Sequence, residues 1–367
     1  MFNNIYSGKR VLITGHTGFK GSWLALWLKE LGAEVIGYAL QPPTDPNHFD
    51  LLHLDIPSII GDIRDSEKLT KAIKTYQPAI VFHLAAQPLI RYSYKNPMET
   101  FETNVMGTIN VFEACRQTES VRAIVNITSD KCYENREWVW GYRENDPMGG
   151  YDPYSASKGC AELVTSSYRN SFFNPFHPLT LSPSHNSILL ASARAGNVIG
   201  GGDWAEDRLM PDIMRAVGKN EKVKIRNLHA TRPWQHVLEP LSGYLLLGQK
   251  LLEGRKEFAE AWNFGPSEDG NATVGEIADQ VKEAWSKIDY EINMIPEQPH
   301  EAGMLRLDCS KSRTKMQWTP VWDGKSAVEK TALWYRAFYE SNEVQSLEDL
   351  KNYIADAKSK HISWSKE

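Results

Sequence analysis

Along the first two hundred residues, apolar positions alternate between short continuous runs and helical spacing. Arg10-Val-Leu-Ile-Thr14 is a compact apolar run that stops at Gly15, as a strand buried on both faces would. Trp23, Leu24, Leu26, Trp27, Leu28 and Leu31 then recur at helical spacing through 21–31, and Gly32 ends that helix. A second strand is predicted at Glu34–Ala39, a helix near 66–76, a strand at Ala79–Leu84, a helix near 98–117 and a strand at Ala123–Thr128. Parallel strands joined through helices need right-handed crossovers. The pattern therefore predicts an α/β fold of Rossmann type, a doubly wound parallel sheet with helices on both faces.

Beyond about residue 200 the texture changes. Residues 203–240 are rich in Trp, Arg, Asp and Pro with few clear periods, and amphipathic helices are expected at 273–287 and 325–340. The charged tail after Glu340 reads as a peripheral helix. Residues 174–187, with Pro175, Pro178 and Pro183, read as a surface loop before a strand at 188–195. The expected division is a nucleotide-binding Rossmann domain over 1–200, its core also drawing on about 230–265, and a smaller, intertwined lobe over 201–367 that closes a substrate cleft. No low-complexity linker separates the two parts.

Composition narrows the function classes. The 367 residues are 41% hydrophobic and 24% charged, ordinary globular usage. A net charge of -5 and a pI near 6.1 give no basic surface for nucleic acid. Cys115, Cys132, Cys160 and Cys309 lie far apart with no Cys-x-x-Cys pair, which argues against a zinc site or a disulfide framework and fits a reducing compartment. No run approaches the roughly 18 apolar residues that span a bilayer, and no leader pattern opens the chain. A cytoplasmic enzyme without membrane or nucleic-acid partners is expected, and no metal.

Gly15-His16-Thr17-Gly18-Phe19-Lys20-Gly21 sets three glycines at intervals of three between a strand and a helix. The first permits a sharp turn, the second lets a pyrophosphate approach the backbone, and the third packs helix on sheet; the helix N-terminus offers free N–H groups to the anion. A dinucleotide is the expected ligand. Gly37-Tyr38-Ala39-Leu40-Gln41, at the end of the second strand, has neither a carboxylate for a ribose hydroxyl nor an arginine for a 2′-phosphate. NAD is preferred to NADP. Asp62 and Ile63 either meet the adenine, or Asp62 caps the following helix.

The strand ending at Thr128 delivers Ser129-Asp130-Lys131 to its C-terminal edge, where ligands bind in such sheets. Tyr154 and Lys158 follow at i and i+4, on one face of a helix. A neighbouring ammonium is expected to lower the phenol's pKa towards working pH, making Tyr154 a general base for a substrate hydroxyl whose carbon gives up hydride.

These residues resemble the extended short-chain dehydrogenase/reductases over nearly the whole chain. The resemblance runs through Thr14-Gly15, Leu84-Ala85-Ala86-Gln87, Asn104-Val105-Met106-Gly107-Thr108, Tyr154 with Lys158, and Arg194-Ala195-Gly196-Asn197-Val198. Within that family, Ser129-Asp130-Lys131-Cys132-Tyr133, Gly200-Gly201-Gly202-Asp203-Trp204 and Arg232-Pro233-Trp234-Gln235-His236-Val237 are similar to the nucleotide-sugar 4,6-dehydratases. The resemblance implies a tightly bound, regenerated NAD held by Gly15 to Gly21, Asp62, Ile63, Leu84, Ala85, Ala86, Gln87, Asn104, Tyr154 and Lys158. It implies a sugar nucleotide met by Gln87, Arg91, Ser129, Asn197, Trp204, Arg208, Arg232 and His236. Trp204 and Trp234 either stack on the ligand or pack locally; His16 and His83 read as structural.

The reaction so implied has three stages: oxidation at C4 with Tyr154 as base and Ser129 orienting the hydroxyl, loss of water across C5 and C6, and return of hydride to C6. Related dTDP-glucose dehydratases carry Asp then Glu after the serine as acid and base. Here Asp130 keeps the acid, but Lys131 stands where Glu would. Lys131 acts as the C5 base, neutralises an intermediate or holds Asp130, and all three roles are open to it. Such enzymes supply deoxysugars for surface polysaccharide. The alternative on this scaffold is an epimerase or reductase, which has no use for a dehydration acid. The resemblance also implies a homodimer, or a tetramer, through helices near 98–117 and 154–170, whose stripes Phe101, Val105, Ile109, Phe112 and Leu163, Tyr168 fit a four-helix contact or, equally, a buried core.

Overall fold

A computed structural model describes residues 1–173, 188–225, 228–267, 270–292 and 304–366. Six strands form the first part of one sheet: β1 (Arg10–Thr14), β2 (Glu34–Ala39), β3 (Ser58–Ile60), β4 (Ile80–His83), β5 (Ala123–Ile127) and β6 (Leu189–Ala195). With Ala261–Phe264 they make a seven-stranded sheet in the order 261–264, β6, β5, β4, β1, β2, β3. Every pairing in it is parallel. The strand order reverses between β1 and β4, and that point opens a crevice at the carboxyl ends of the strands.

Burial explains the continuous apolar runs. Every residue of β4, β5 and β6 is buried, as parallel strands covered on both faces must be. The helix Phe19–Glu30 is buried from Gly21 to Leu28, with Trp23 and Trp27 fully enclosed. On the same face, the helix Leu238–Leu252 packs beneath the sheet, and Trp262, Trp318, Tyr353 and Trp364 complete that core.

Three features differ from the expectations. The predicted helix at 98–117 is Pro97–Phe101, a π-helical turn Glu102–Met106 and Gly107–Arg116. Phe112, on the last of these segments, is fully buried against the sheet, the core role that its stripe equally allowed. The tail is a helix, Ser346–Ser359, but not a peripheral one: Leu350, Tyr353 and Ala357 are fully buried in the main core. The short strand β3 was not anticipated. The expected loop at 174–187 lies outside the described residues.

A second core gathers Ile213, Met214, Ile277, Trp334 and Tyr335 from the helices Leu209–Gly218, Val274–Ala284 and Gly324–Ser341, with Trp204 and Trp285 from the segments beside them. Two-stranded pairings, Val223–Ile225 with Tyr290–Ile292 and Thr231–Pro233 with Asn271–Thr273, trim it. No helix among the described residues is long and apolar enough to cross a membrane.

Candidate active site

The glycine turn is shaped for close approach. Gly15 has φ +79°, and a Cβ there would lie 2.8 Å from the backbone nitrogen of Ala85. A Cβ on Gly21 would lie 2.1 Å from the Gly15 carbonyl oxygen, so the helix start presses directly on the turn. Gly18 caps the helix Phe19–Glu30, and a Cβ on it would meet only the Gly15 oxygen, at 3.4 Å. That opening, in front of unsatisfied helix N–H groups, fits a pyrophosphate. Thr17 braces the turn by donating to the Leu40 carbonyl at 2.9 Å. His16 turns away from the opening, 2.7 Å from the Ser58 hydroxyl and edge-on to Phe49, and burial brings its pKa down to about 4.

Asp62 sits beyond the end of β3, where its carboxylate holds Arg64 through the backbone at 2.8 Å and the guanidinium at 2.6 Å. The helix Ser66–Tyr76 is capped by Asp65, so capping is not the task of Asp62. Ile63 is buried against Gly107. From β4 the chain runs through Leu84, Ala85 and Ala86 to Gln87. There Asn104, on the π-helical turn, accepts from the Gln87 N–H at 2.8 Å and donates to the Gln87 carbonyl at 3.0 Å. Asn104 also donates to Ser157 at 2.8 Å, and Ser157 in turn donates to the Tyr154 carbonyl at 2.7 Å. The extra residue of the π turn thus ties the loop after β4 to the helix that carries Tyr154.

That helix, Pro153–Ser171, starts with Asp152 accepting from the Ser155 N–H and Pro153 in its first turn. Tyr154 and Lys158 are both buried and face the end of β5. Ser129 leaves β5 and caps a short turn over Asp130–Cys132; its hydroxyl donates to the Asp130 carboxylate at 3.0 Å. Asp130 is 3% exposed, and its Oδ2 has no hydrogen-bond partner. Burial raises its pKa, against the pull of Lys131, Ser129, Arg232 and Lys20. Lys131 is half-buried beside it.

The electrostatics depart from one expectation. Burial pushes the Tyr154 phenol up to about 12, with only Ser129 and Arg208 working against it. Lys158 is itself brought down to about 8 by burial. An enclosed ammonium loses hydration along with the phenol beside it, so the chain's own groups do not bring the tyrosine near neutrality. Lys20, from the second residue of the first helix, is lowered to about 8 by burial and by Arg208, and it also senses Asp130, Lys158 and Asp203. It therefore reaches past the glycine turn to the catalytic end.

The residues expected at the substrate fall into two groups. Arg208 pairs with Asp203 at 2.9 Å and senses Tyr154, Arg91 pairs with Asp207 at 3.5 Å, and Arg232 senses Asp130 from the strand Thr231–Pro233. These three bring positive charge to the cleft from three different segments. Asn197 lies between β6 and the short strand Val198–Ile199, its carbonyl accepting from Gln235. The other group does not line the cleft. Trp204 is buried among Trp334, Tyr335 and Phe338 and donates to the Tyr339 hydroxyl, a packing anchor of the smaller lobe. His236 is fully buried between Trp23 and Trp322, and burial holds its pKa down at about 3. Trp234 is buried and donates to the Ala272 carbonyl. The side chain of Gln87 is spent on Thr100 and the Leu89 N–H.

Beneath the site lies a network that motif spacing did not single out. Glu162, one turn after Lys158, accepts from Thr128, from Ser192 at 2.7 Å and from Arg194 at 2.7 Å. Arg194 also donates to the Tyr133 hydroxyl at 2.7 Å, which donates to Asn263 at 2.7 Å. The available signal was helical: Tyr154, Lys158 and Glu162 succeed one another at intervals of four.

Comparison with known proteins sets this geometry in context. A family described as GDP-mannose 4,6 dehydratase matches residues 12–331. The chain is 52% identical over 356 residues to the CDP-glucose 4,6-dehydratase of Salmonella typhimurium strain LT2, covering 96% of this chain and 98% of that protein. Among solved structures, an epimerase from Methanothermobacter thermautotrophicus superposes with a TM-score of 0.78 at 23% identity, covering 92% of this chain and 96% of the other. A dTDP-glucose 4,6-dehydratase from Bacillus anthracis, solved in complex with NAD, superposes with a TM-score of 0.71 at 18% identity, covering 91% and 98%.

Proposed function

The chain belongs to the GDP-mannose 4,6 dehydratase family, and from that premise we propose that it converts CDP-D-glucose to CDP-4-keto-6-deoxy-D-glucose. The observation that carries the reaction type is Asp130, a buried carboxyl with raised pKa and one unpartnered oxygen, set beside Lys131, Ser129 and Tyr154. An epimerase that works only at C4 has no task for such an acid. The likeness to the Salmonella CDP-glucose 4,6-dehydratase favours CDP-glucose over the other nucleotide sugars.

The glycine turn, Asp62, Ile63, Leu84 to Gln87 and Asn104 would hold NAD, which supplies a hydride acceptor for C4 and a donor for C6 with no net redox change. NAD is favoured over NADP because Arg64, beside the adenosine end, is already surrounded by Asp62, Glu99 and Glu102. Those carboxylates would repel a 2′-phosphate.

Ser129 orients the C4 hydroxyl and Tyr154 takes its proton as the phenolate, a form that Lys158 together with the positive charge of bound NAD would stabilise against burial. The ketone so formed acidifies C5–H, and Lys131, directly or through a water it positions, removes that proton. Asp130 delivers its proton to the departing C6 hydroxyl, the role for which a raised pKa suits a carboxyl at neutral pH, and Lys131 gives its proton back to C5 when hydride is returned to C6. Arg91, Arg208 and Arg232 bind the diphosphate through the planar forks that suit phosphate oxygens.

The homodimer remains part of the reading. Met98, Phe101, Met106 and Leu163 are exposed large apolar side chains on the two helical segments at 97–116 and 153–171. The four cysteines are free, which suits a cytoplasmic setting. The product is a precursor for deoxysugars of surface polysaccharide.

The test is a product assay with purified protein and NAD on CDP-glucose, dTDP-glucose, UDP-glucose and GDP-mannose in parallel, read by mass spectrometry and by the alkaline absorbance of the 4-keto sugar. Loss of one water from CDP-glucose, without net NADH, is expected. Water loss from another sugar nucleotide instead would overturn the specificity, and none from any would overturn the dehydratase reading.

A further inference from the structure

We infer that Glu162 is a positioning residue for the reaction: it keeps Lys158 cationic and anchors Thr128, the residue from which Ser129-Asp130-Lys131 departs. The inference rests on the reading of Tyr154 and Lys158 as the catalytic pair.

The argument begins with geometry. Glu162 lies one helical turn beyond Lys158 on the same face of Pro153–Ser171, so the two Cβ atoms are about 6 Å apart. Its side chain is 3% exposed and every bond it makes is to a neighbouring strand. Oε1 accepts from Thr128, at the end of β5; Oε2 accepts from Ser192 and from Arg194, both on β6. One carboxylate therefore fixes the catalytic helix against the two strands whose ends shape the site. A shift of Glu162 would move Thr128, and with it the turn carrying the dehydration acid.

Charge gives the second half. The groups around Lys158 are Glu162 on its own helix, Cys132 from the turn after β5, His83 from β4 and Lys20 from the first helix. His83 is held neutral by burial and Lys20 is repulsive, so Glu162 is the carboxylate that opposes the burial penalty on Lys158. Around Glu162 itself stand Arg194 and, more weakly, Arg169. Burial alone would raise Glu162, but Arg194 with Thr128 and Ser192 brings it down to about 2, so it is an anion throughout the working range. Arg194 also donates to the Tyr133 hydroxyl and the Glu144 carbonyl, which hold it on the strand side of Glu162.

Two variants separate charge from position. In Glu162→Gln the shape stays and the anion goes; the pKa of Lys158 falls, and turnover is lost at a lower pH than in the wild type. With a screened charge about 6 Å away, the alkaline limb of the kcat profile should move down by roughly one to two pH units. In Thr128→Val the anion stays and one anchor goes; kcat should fall without movement of the limb. Glu162→Asp should restore the wild-type limb. Should Glu162→Gln fail to fold with Arg194 unpaired, the double variant Glu162→Gln, Arg194→Met removes the stranded charge and should show a smaller shift in the same direction, since a nearby cation goes with the anion. Coincident alkaline limbs for wild type and the Gln variants, with Tyr154→Phe inactive, would overturn the inference alone. Full turnover by Tyr154→Phe would overturn the catalytic reading on which it stands.

Discussion

Glu239 is the acceptor on which the C-terminal part of the chain hangs, and replacing it by alanine should cost more than most point changes. The carboxylate lies at the start of the helix Leu238–Leu252 and is fully buried. It accepts from the Val321 N–H at 2.9 Å, the Trp322 N–H at 2.7 Å and the Tyr353 hydroxyl at 2.8 Å. Glu239→Ala leaves three buried donors without a partner, each worth about 1–3 kcal/mol. Some relaxation is available to the Tyr353 hydroxyl, which lies 3.4 Å from Ser242. The two peptide groups have no such alternative, so the total should be roughly 3–6 kcal/mol. At about 1.3 °C per kcal/mol for a chain of this size, the midpoint of thermal unfolding should fall by about 4–8 °C. Denaturant unfolding followed by tryptophan fluorescence measures the free energy, and amide exchange reports the two donors directly: Val321 and Trp322 should lose protection before the sheet does. A change below about 1 kcal/mol, with both amides still protected, would refute the assignment of this carboxylate as their acceptor.

Other consequences are open to direct test. Asp130→Asn, which keeps the shape but has no proton to give, should lower water loss by about 10²–10⁴-fold while cofactor reduction by substrate still occurs in a single-turnover absorbance trace; unimpaired product release would exclude it as the acid. Gly15→Ala forces a Cβ to within 2.8 Å of the Ala85 nitrogen at φ +79°, so NAD affinity measured by calorimetry should collapse, and an unchanged Kd would mean the turn does not hold the dinucleotide. Asp349 is raised to about 7, chiefly by burial, and one of its oxygens has no partner. A carboxyl raised in the folded state stabilises most below its unfolded value near 3.8 and loses that contribution as pH rises through 7. Asp349→Asn should therefore match the wild type near pH 4 and exceed its stability at pH 8 by about 2–4 kcal/mol, and equal stabilities at both pH values would refute the shift.

Much of the architecture was legible because a parallel sheet writes itself as apolar runs. β1, β2, β4, β5 and β6 stand within a residue or two of their expected places, since buried strands tolerate nothing else. What escaped was set by tertiary context. β3 is three residues whose outer two are exposed, so Ser58-Ile59-Ile60 leaves no period to read. The π-helical turn at 102–106 adds a residue that no hydrophobic pattern announces. In the site, Ser129, Asp130, Tyr154 and Lys158 converge because strand end and helix spacing bring them together. Trp204 and His236 sit inside motifs that resemble binding segments, yet their side chains pack inward, a direction that spacing does not encode in irregular loops. Glu162 was overlooked because its partners Ser192 and Arg194 arrive from a strand some thirty residues away.

The sheet order bears on how the polypeptide is made. β6 pairs on one side with β5 and on the other with Ala261–Phe264, a strand that follows only after the chain has travelled through part of the smaller lobe. While a ribosome is still translating that excursion, β6, every residue of which is buried in the finished fold, presents an open row of backbone donors and acceptors. Nascent chains released near residue 200 would carry the glycine turn at 15–21 and the tyrosine–lysine pair, yet end in a sticky, unfinished edge. An expression fragment cut there should aggregate, and the shortest fragment that behaves well should extend past Phe264.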